Sequence, residues 1–150
     1  SIPMRHGGDR AYYAPTEDRI QMPERATFTT PEHYMHTLLH ECMHSTGHSS
    51  RLNRGLDTKL AAFGSADYSR EELVAEMGAS FSAAVLGVDT PEVNRNRDAY
   101  CQNWAKALRD DKRALVWAAG RAQKAADLVL GVADAEEAGE AEPALEYNAG

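Results

Sequence analysis

Two histidines and a glutamate in the first third of the chain have a spacing suited to holding a metal ion. His40 and His44 are four residues apart, so on a helix their imidazoles lie on one face and can reach a single ion. Glu41 projects roughly 100° around that helix from His40, beside a metal-bound water. A carboxylate there can take a proton from the attacking water and return it to the departing amine. The segment predicts zinc-assisted hydrolysis of a peptide bond, with Glu41 as general base.

A third protein ligand is expected, because catalytic zinc commonly has three and keeps one position open for water. Glu72 and Glu76 share the face of a later predicted helix beside apolar residues. Two carboxylates there are costly to bury without a cation or hydrogen bonds, so either can supply the ligand. His48 is a rival. The metzincin pattern places its third histidine six residues after the second, however, and this chain has Ser50 at that position.

The helix that carries the two histidines is predicted from its ends. Thr29 and Thr30 offer hydroxyls that can cap free amides, and a proline follows in the first turn. Gly47 is expected to end the helix, because glycine tolerates the left-handed backbone that closes many helices. We therefore expect a helix over Pro31–Thr46.

A second helix should carry the carboxylates. Ser69 is expected to cap it, and Gly87 to end it after about Leu86. Tyr68 just before this helix is a candidate donor to a developing oxyanion, and the alternative is an aromatic residue that anchors the surface. Two further helices are indicated by regular spacing of apolar residues. The first contains Tyr100, Trp104 and Leu108, and the second buries Leu115, Ala118, Ala122, Ala125 and Val129.

The N-terminal region has the pattern of a small sheet. Residues 11–13 form an aromatic strand, residues 19–23 alternate in polarity, and a turn rich in Pro and Asp separates them. We expect these two strands to pair antiparallel. The edge of the Tyr12 and Tyr13 strand is a candidate docking site for an extended peptide.

Composition restricts the class of protein. The 150 residues suit one domain, and no apolar run approaches the ~20 residues of a membrane-spanning helix. Six of the 23 acidic residues lie in 132–150, which has no Lys or Arg, so residues 1–131 have 17 acids against 16 bases. This balance does not favour a polyanion or a membrane as partner. Cys42 and Cys101 are too few for a disulfide framework, so we expect a cytoplasmic protein.

Several long segments resemble one known family, the zincin-like metallopeptidase domain of ArdC-type antirestriction proteins and TraC-type plasmid primases. The resemblance covers about residues 2–131 and is carried by the segments 5–13, 18–23, 40–48, 51–54, 68–76 and 104–108. It implies an α+β, zincin-like fold, mainly helical with a small antiparallel N-terminal sheet. We expect this domain to occupy residues 1–131, followed by a disordered acidic tail over 132–150.

The resemblance also implies roles for particular residues. In the related gluzincins an acid four residues after the ligand glutamate hydrogen-bonds a ligand histidine. By that resemblance Glu72 is the zinc ligand and Glu76 is its partner on a histidine, although the roles can be exchanged.

Family membership also suggests the context in which the domain works. It implies a role on plasmids or other mobile elements, with a protein or peptide as substrate. An N-terminal domain binds single-stranded DNA in that family. Because Ser1 begins what reads as the interior of a longer protein, we expect DNA binding to lie outside this chain. The alternative function is a non-catalytic, zinc-stabilised binding module.

Overall fold

The computed structural model describes residues 1–57, 65–88 and 112–132. These ranges contain three short strands, a 3-10 turn and three α-helices. The elements are β1 (Met4–His6), β2 (Tyr12–Ala14), β3 (Arg19–Met22), the 3-10 turn (Arg25–Thr27), α1 (Pro31–Thr46), α2 (Ala66–Leu86) and α3 (Lys112–Leu130). Among the described residues, no helix is long and apolar enough to cross a bilayer. The expected helix around Trp104 and the acidic tail after Val132 lie outside the described residues.

The sheet is mixed, with β3 at its centre. β2 pairs antiparallel with β3, as expected, and Tyr13 lies opposite Ile20. β1 pairs parallel with the other side of β3, with Met4 opposite Ile20. The expectation of a wholly antiparallel sheet was therefore wrong. The three residues of β1 are all exposed, so they lack the alternation that marks a strand, and parallel pairing joins segments that no short turn connects.

Helix α1 has the predicted bounds, but Gly47 ends it for a different reason. The Thr30 hydroxyl accepts a hydrogen bond from the His33 amide at 3.1 Å and caps the helix. Gly47 has φ −79°, so the expected left-handed backbone was wrong. A Cβ at Gly47 would lie 2.6 Å from Leu56 Cδ1 and 3.0 Å from Arg54 Nη2. Glycine suits this position because the Leu56 and Arg54 side chains of the returning loop pack at close range against the helix end.

Helix α2 starts four residues earlier than expected. Ser65 is its cap, and its hydroxyl accepts a hydrogen bond from the Tyr68 amide at 3.2 Å. Ser69 lies inside the helix, so its expected capping role was wrong. The other end is confirmed, because Gly87 follows Leu86 with a left-handed backbone at φ 70°. Both serines are chemically suitable caps, and local pattern alone did not distinguish them.

Helix α1 lies between the sheet and the other two helices. One cluster packs Tyr13, Ile20 and Met22 of the sheet against Tyr34, Leu38 and Cys42 of α1. A second cluster on the other side of α1 joins Leu39 and Met43 to Ala75, Ala79, Ala83 and Ala125. The small residues let the helices approach closely. At Gly78 an added Cβ would lie 2.6 Å from Met43 Sδ. This packing fixes α2 against the histidine-bearing half of α1.

Helix α3 covers α2 with a face of alanines. Ala118, Ala122 and Ala125 are fully buried, as expected, and Val129 packs partly buried against the same core. Leu115 is 40% exposed, so its expected burial was wrong. Periodicity identifies the buried face of a helix, but it does not reveal where along the helix the contact begins.

Candidate metal centre

The two histidines of α1 direct their Nε2 atoms at one another. The Nε2 atoms of His40 and His44 lie 3.1 Å apart, and the two rings meet edge to face at an interplanar angle of 81°. One helical turn separates the residues, so their imidazoles project from the same face of α1. This is the arrangement in which two imidazoles can bind one ion.

Helix α2 brings a carboxylate to the same point. Glu72 Oε1 lies 3.3 Å from His44 Nε2, and Glu72 Oε2 lies 3.7 Å from His40 Nε2. One ligand atom from each of the three residues lies within 4.8 Å of the others. Within the described residues, this is the group of His, Cys, Asp and Glu side chains that could hold a metal ion. Two nitrogens and one carboxylate oxygen match the donor set of catalytic zinc sites.

The opposite nitrogen of each ring faces a different glutamate. His40 Nδ1 lies 3.2 Å from Glu76 Oε2, and His44 Nδ1 lies 3.3 Å from Glu71 Oε1. A carboxylate can only accept, so each Nδ1 carries the proton and donates. In the neutral tautomer that this favours, each Nε2 keeps its lone pair for a metal.

The cluster favours positive charge. Burial lowers the pKa of His40, but contacts with Glu72 and Glu76 raise it more, to about 10. Burial raises the pKa of Glu72, but contacts with His40 and His44 hold it well below its ordinary value. The Glu72 carboxylate therefore remains ionised at neutral pH and contributes a negative potential that attracts a cation. The electrostatics and the donor set agree on a metal site.

Glu41 lies beside this group on α1 and is almost fully buried, with 7% exposure. Burial raises the pKa of its carboxyl group above the ordinary value. The neighbouring His44 and His40, and a hydrogen bond with the Tyr13 backbone, each lower it in part. The contact with Tyr13 places strand β2 next to the carboxylate.

Other residues singled out in the sequence lie in different surroundings. Tyr68 is on the first turn of α2, four residues before Glu72 and so on the same face. His48 is outside the metal group; its Nδ1 lies 2.8 Å from Ser50 Oγ, and its Nε2 lies 3.6 Å from Asp57. Burial raises the pKa of the Cys42 thiol to about 11, so Cys42 lacks the lowered pKa of a nucleophile.

Sequence reasoning missed the contact between Glu71 and His44. Glu71 was given no role there, yet its carboxylate faces Nδ1 of His44 and pairs with Arg54. The run Glu71-Glu72 followed by Glu76 was a usable signal, because three acids on a largely apolar helix need partners.

Arg51 also has a structural partner. It pairs with Asp18, and its Nε donates to Ser45 O at 2.7 Å. Asp18 in turn accepts a hydrogen bond from the Tyr13 hydroxyl at 2.7 Å. These contacts fasten strand β2 to the end of α1.

Comparison with known proteins places these features in a family. A family model described as zincin-like metallopeptidase matches residues 1–121. The y4eC protein of Sinorhizobium fredii is 42% identical over 126 residues, which cover 84% of this chain and 40% of that protein. DNA primase TraC of Escherichia coli is 42% identical over 123 residues, which cover 82% of this chain and 8% of the primase. The chain therefore spans less than half the length of either relative.

Solved structures show the same likeness. The Mn(II)-bound crystal structure of the antirestriction protein ArdC from plasmid R388 superposes with a TM-score of 0.69 at 42% identity, covering 87% of this chain and 48% of that chain. The metal-free crystal structure of ArdC gives a TM-score of 0.67 at 43% identity. The fold and a large part of the sequence are shared over that region.

Proposed function

Because this chain belongs to the zincin-like metallopeptidase family, we propose that it is a zinc-dependent peptidase domain that hydrolyses peptide bonds. The observation that carries the proposal is the buried Glu41 carboxylate next to the converging nitrogens of His40 and His44. A purely structural zinc site usually has four protein ligands and needs no base. A buried carboxylate that is next to the metal ligands on the same helix, without being one of them, fits a site that moves a proton.

The proposed roles follow the positions of the side chains. His40, His44 and Glu72 would hold the zinc ion, and Glu76 would orient His40 through Nδ1. When bound, zinc polarises a water and the carbonyl oxygen of the substrate. Glu41 accepts the proton of the attacking water on its carboxylate and delivers it to the leaving amine. The raised pKa of Glu41 supports this role. A group that both takes and returns a proton works best when its pKa is closer to the working pH than that of an ordinary carboxyl group.

Two further features would act on the substrate. Tyr68 is proposed to donate its hydroxyl proton in a hydrogen bond to the developing oxyanion, since it shares a helix face with Glu72.

Strand β2 is proposed to dock an extended peptide. Among the described strands it pairs only with β3, and its Tyr13 backbone lies against Glu41. A peptide along that edge would bring its carbonyl groups beside the base.

The proposal extends to the parent protein. Likeness to ArdC and to TraC favours a role in antirestriction or DNA transfer on a mobile element. We place the domain in the cytoplasm, where restriction enzymes act, and the free thiol of Cys42 fits a reducing compartment. Contact with single-stranded DNA is not assigned to residues 1–131, because they have 17 acids against 16 bases.

A non-catalytic binding module is the alternative, and one observation favours it. The relatives carry the names of an antirestriction protein and a primase, not of a peptidase. In that case the metal would stabilise a surface that contacts proteins of restriction or DNA transfer. The two functions differ in whether Glu41 is needed once the metal is bound.

The experiment compares the wild-type chain with Glu41→Gln. We expect both proteins to contain one zinc ion by elemental analysis, and the variant to lose cleavage of a peptide library by about 10²-fold or more. Glu32→Gln, on the first turn of the same helix, is the matched control and should cleave normally. Full activity of Glu41→Gln would exclude its role as base. Zinc binding without any cleavage by the wild type would favour the binding module.

A further inference from the structure

Arg54 holds the carboxylate that faces His44. Its Nη2 donates to Glu71 Oε1 at 2.7 Å and its Nε donates to Glu71 Oε2 at 2.9 Å, so the guanidinium and the carboxylate form a bidentate pair. The same Oε1 lies 3.3 Å from His44 Nδ1. The Glu71 carboxylate is therefore fixed on one side by an arginine and presents an oxygen to the imidazole on the other.

Arg54 is itself anchored to the end of α1. Its Nη1 donates to Thr46 Oγ1 at 2.7 Å, and its Nη2 donates to Met43 O at 2.8 Å. The Arg54 side chain is 7% exposed and the Glu71 side chain is 12% exposed. Burying such a pair costs desolvation energy, and several hydrogen bonds are needed to offset that cost. Replacing a buried ion pair by apolar residues of similar size is often neutral or stabilising, so stability alone is a weak explanation for this pair.

The loop after α1 is shaped to deliver this arginine. The Leu52 amide donates to Thr46 O and the Arg54 amide donates to Gly47 O, each at 2.9 Å, so the chain doubles back over the helix end. Asn53 adopts a positive φ of 46° in the turn. Gly47 leaves the space through which the Arg54 side chain passes.

We propose that Glu71 is a positioning residue for His44, and that Arg54 acts through Glu71 to set how tightly the site binds zinc. The proposal rests on the metal centre of the proposed function. Glu71 accepts the Nδ1 proton of His44, so it fixes the ring orientation and leaves Nε2 as the ligand atom. Arg54 binds both oxygens of the Glu71 carboxylate and so keeps Oε1 facing His44 Nδ1. Each histidine then has its own carboxylate, with Glu76 serving His40 and Glu71 serving His44.

The test measures zinc affinity of the whole chain by competition with a chromophoric chelator. Glu71→Gln should weaken zinc binding by about 10- to 100-fold, the usual effect of losing an outer-shell partner. Asp67→Asn, an exposed acid in the first turn of the same helix, is the matched control and should bind zinc as the wild type does. The visible spectrum of the Co²⁺-loaded protein should change in Glu71→Gln and not in Asp67→Asn, because only the former alters how His44 meets the ion.

A second variant tests the path through Arg54. Arg54→Lys keeps the charge and loses the fork that holds both carboxylate oxygens, so it should also weaken zinc binding. The double variant that combines Glu71→Gln with Arg54→Lys should bind zinc no more weakly than Glu71→Gln alone, because Arg54 acts through Glu71. If Glu71→Gln does not fold, as judged by melting of the metal-free protein, Arg54→Lys alone carries the test.

The outcomes separate this inference from the peptidase. Unchanged zinc affinity in folded Glu71→Gln would overturn the positioning role of Glu71. Unchanged zinc affinity in Arg54→Lys would overturn the role of Arg54. Additive losses in the double variant would overturn the path through Arg54. Wild-type protein that binds zinc tightly and cleaves no peptide would overturn the peptidase and leave the positioning role standing.

Discussion

The Nε2 atoms of His40 and His44 lie 3.1 Å apart, while each Nδ1 atom faces a separate carboxylate. Two neutral imidazoles protonated at Nδ1 would direct lone pairs at each other in this arrangement, so positive charge on or between the rings stabilises the cluster. We therefore expect folding and cation binding to be linked in this domain.

Removing one histidine should cost both metal and stability. His40→Ala is expected to lose zinc, to remove the histidine that Glu76 contacts, and to leave Glu72 with His44 alone. The free energy of unfolding should fall by about 1–3 kcal/mol even when both proteins are metal-free. Elemental analysis and thermal melting with a chelator measure the two effects. Equal melting temperatures for metal-free wild type and His40→Ala would argue that the cluster adds nothing to the fold.

Tyr68→Phe tests the proposed oxyanion contact. Loss of a single donor at an oxyanion typically lowers kcat by about 10²- to 10³-fold, with little change in ground-state binding. We expect zinc content to be unchanged, and kcat to fall by an amount in that range in a peptide assay. Tyr34→Phe is the control, because the Tyr34 hydroxyl has a partner outside the metal group, His6 Nε2 at 2.8 Å. A normal kcat in Tyr68→Phe would assign Tyr68 to packing.

The contact between Asp18 and Arg51 predicts a pH dependence of stability. Hydrogen bonding to Arg51, against the effect of burial, lowers the pKa of Asp18 from 3.8 to about 2. The folded pKa lies below the unfolded value, so the stabilisation is complete above about pH 4 and is lost as pH falls towards 2. After solvent screening we expect about 1 kcal/mol.

Urea unfolding of the metal-free proteins measures this effect. Asp18→Asn should be less stable than the wild type at pH 7, and the difference should shrink at pH 2–3. Glu17→Gln is the neighbouring control, because Glu17 is exposed and its carboxylate pairs with Arg19. A difference that stays constant across this pH range would show that the charge of Asp18 is not what Arg51 recognises.

Two glycines in helices should respond oppositely to alanine. At Gly78 a Cβ would lie 2.6 Å from Met43 Sδ and 3.3 Å from Ala122 O, so Gly78→Ala should destabilise the domain by about 1–3 kcal/mol. At Gly120 a Cβ would meet nothing within 4 Å, so Gly120→Ala should stabilise it by about 0.5–1 kcal/mol through helix propensity. Denaturant unfolding measures both. A stabilised Gly78→Ala would contradict the close packing of α1 and α2.

Much of the fold was determined by local features of the sequence. Helix α1 has the predicted bounds because a hydroxyl cap and a first-turn proline act on neighbouring residues. Gly87 ends α2 because glycine, which has no Cβ, adopts the left-handed backbone at little steric cost, and this preference is local to the residue. His40 and His44 share a face because four residues make about one turn. Interactions within a few residues can be predicted from spacing alone.

Only the tertiary structure decided which distant groups meet. Spacing left the third ligand open between Glu72 and Glu76, and packing of α2 on α1 sets Glu72 against the Nε2 atoms and Glu76 against Nδ1 of His40. It also brought Arg54 to Glu71, and β1 to β3 in parallel. These contacts depend on the relative placement of helices, loops and strands, which is determined by burial of the shared core. No short stretch of sequence contains that information.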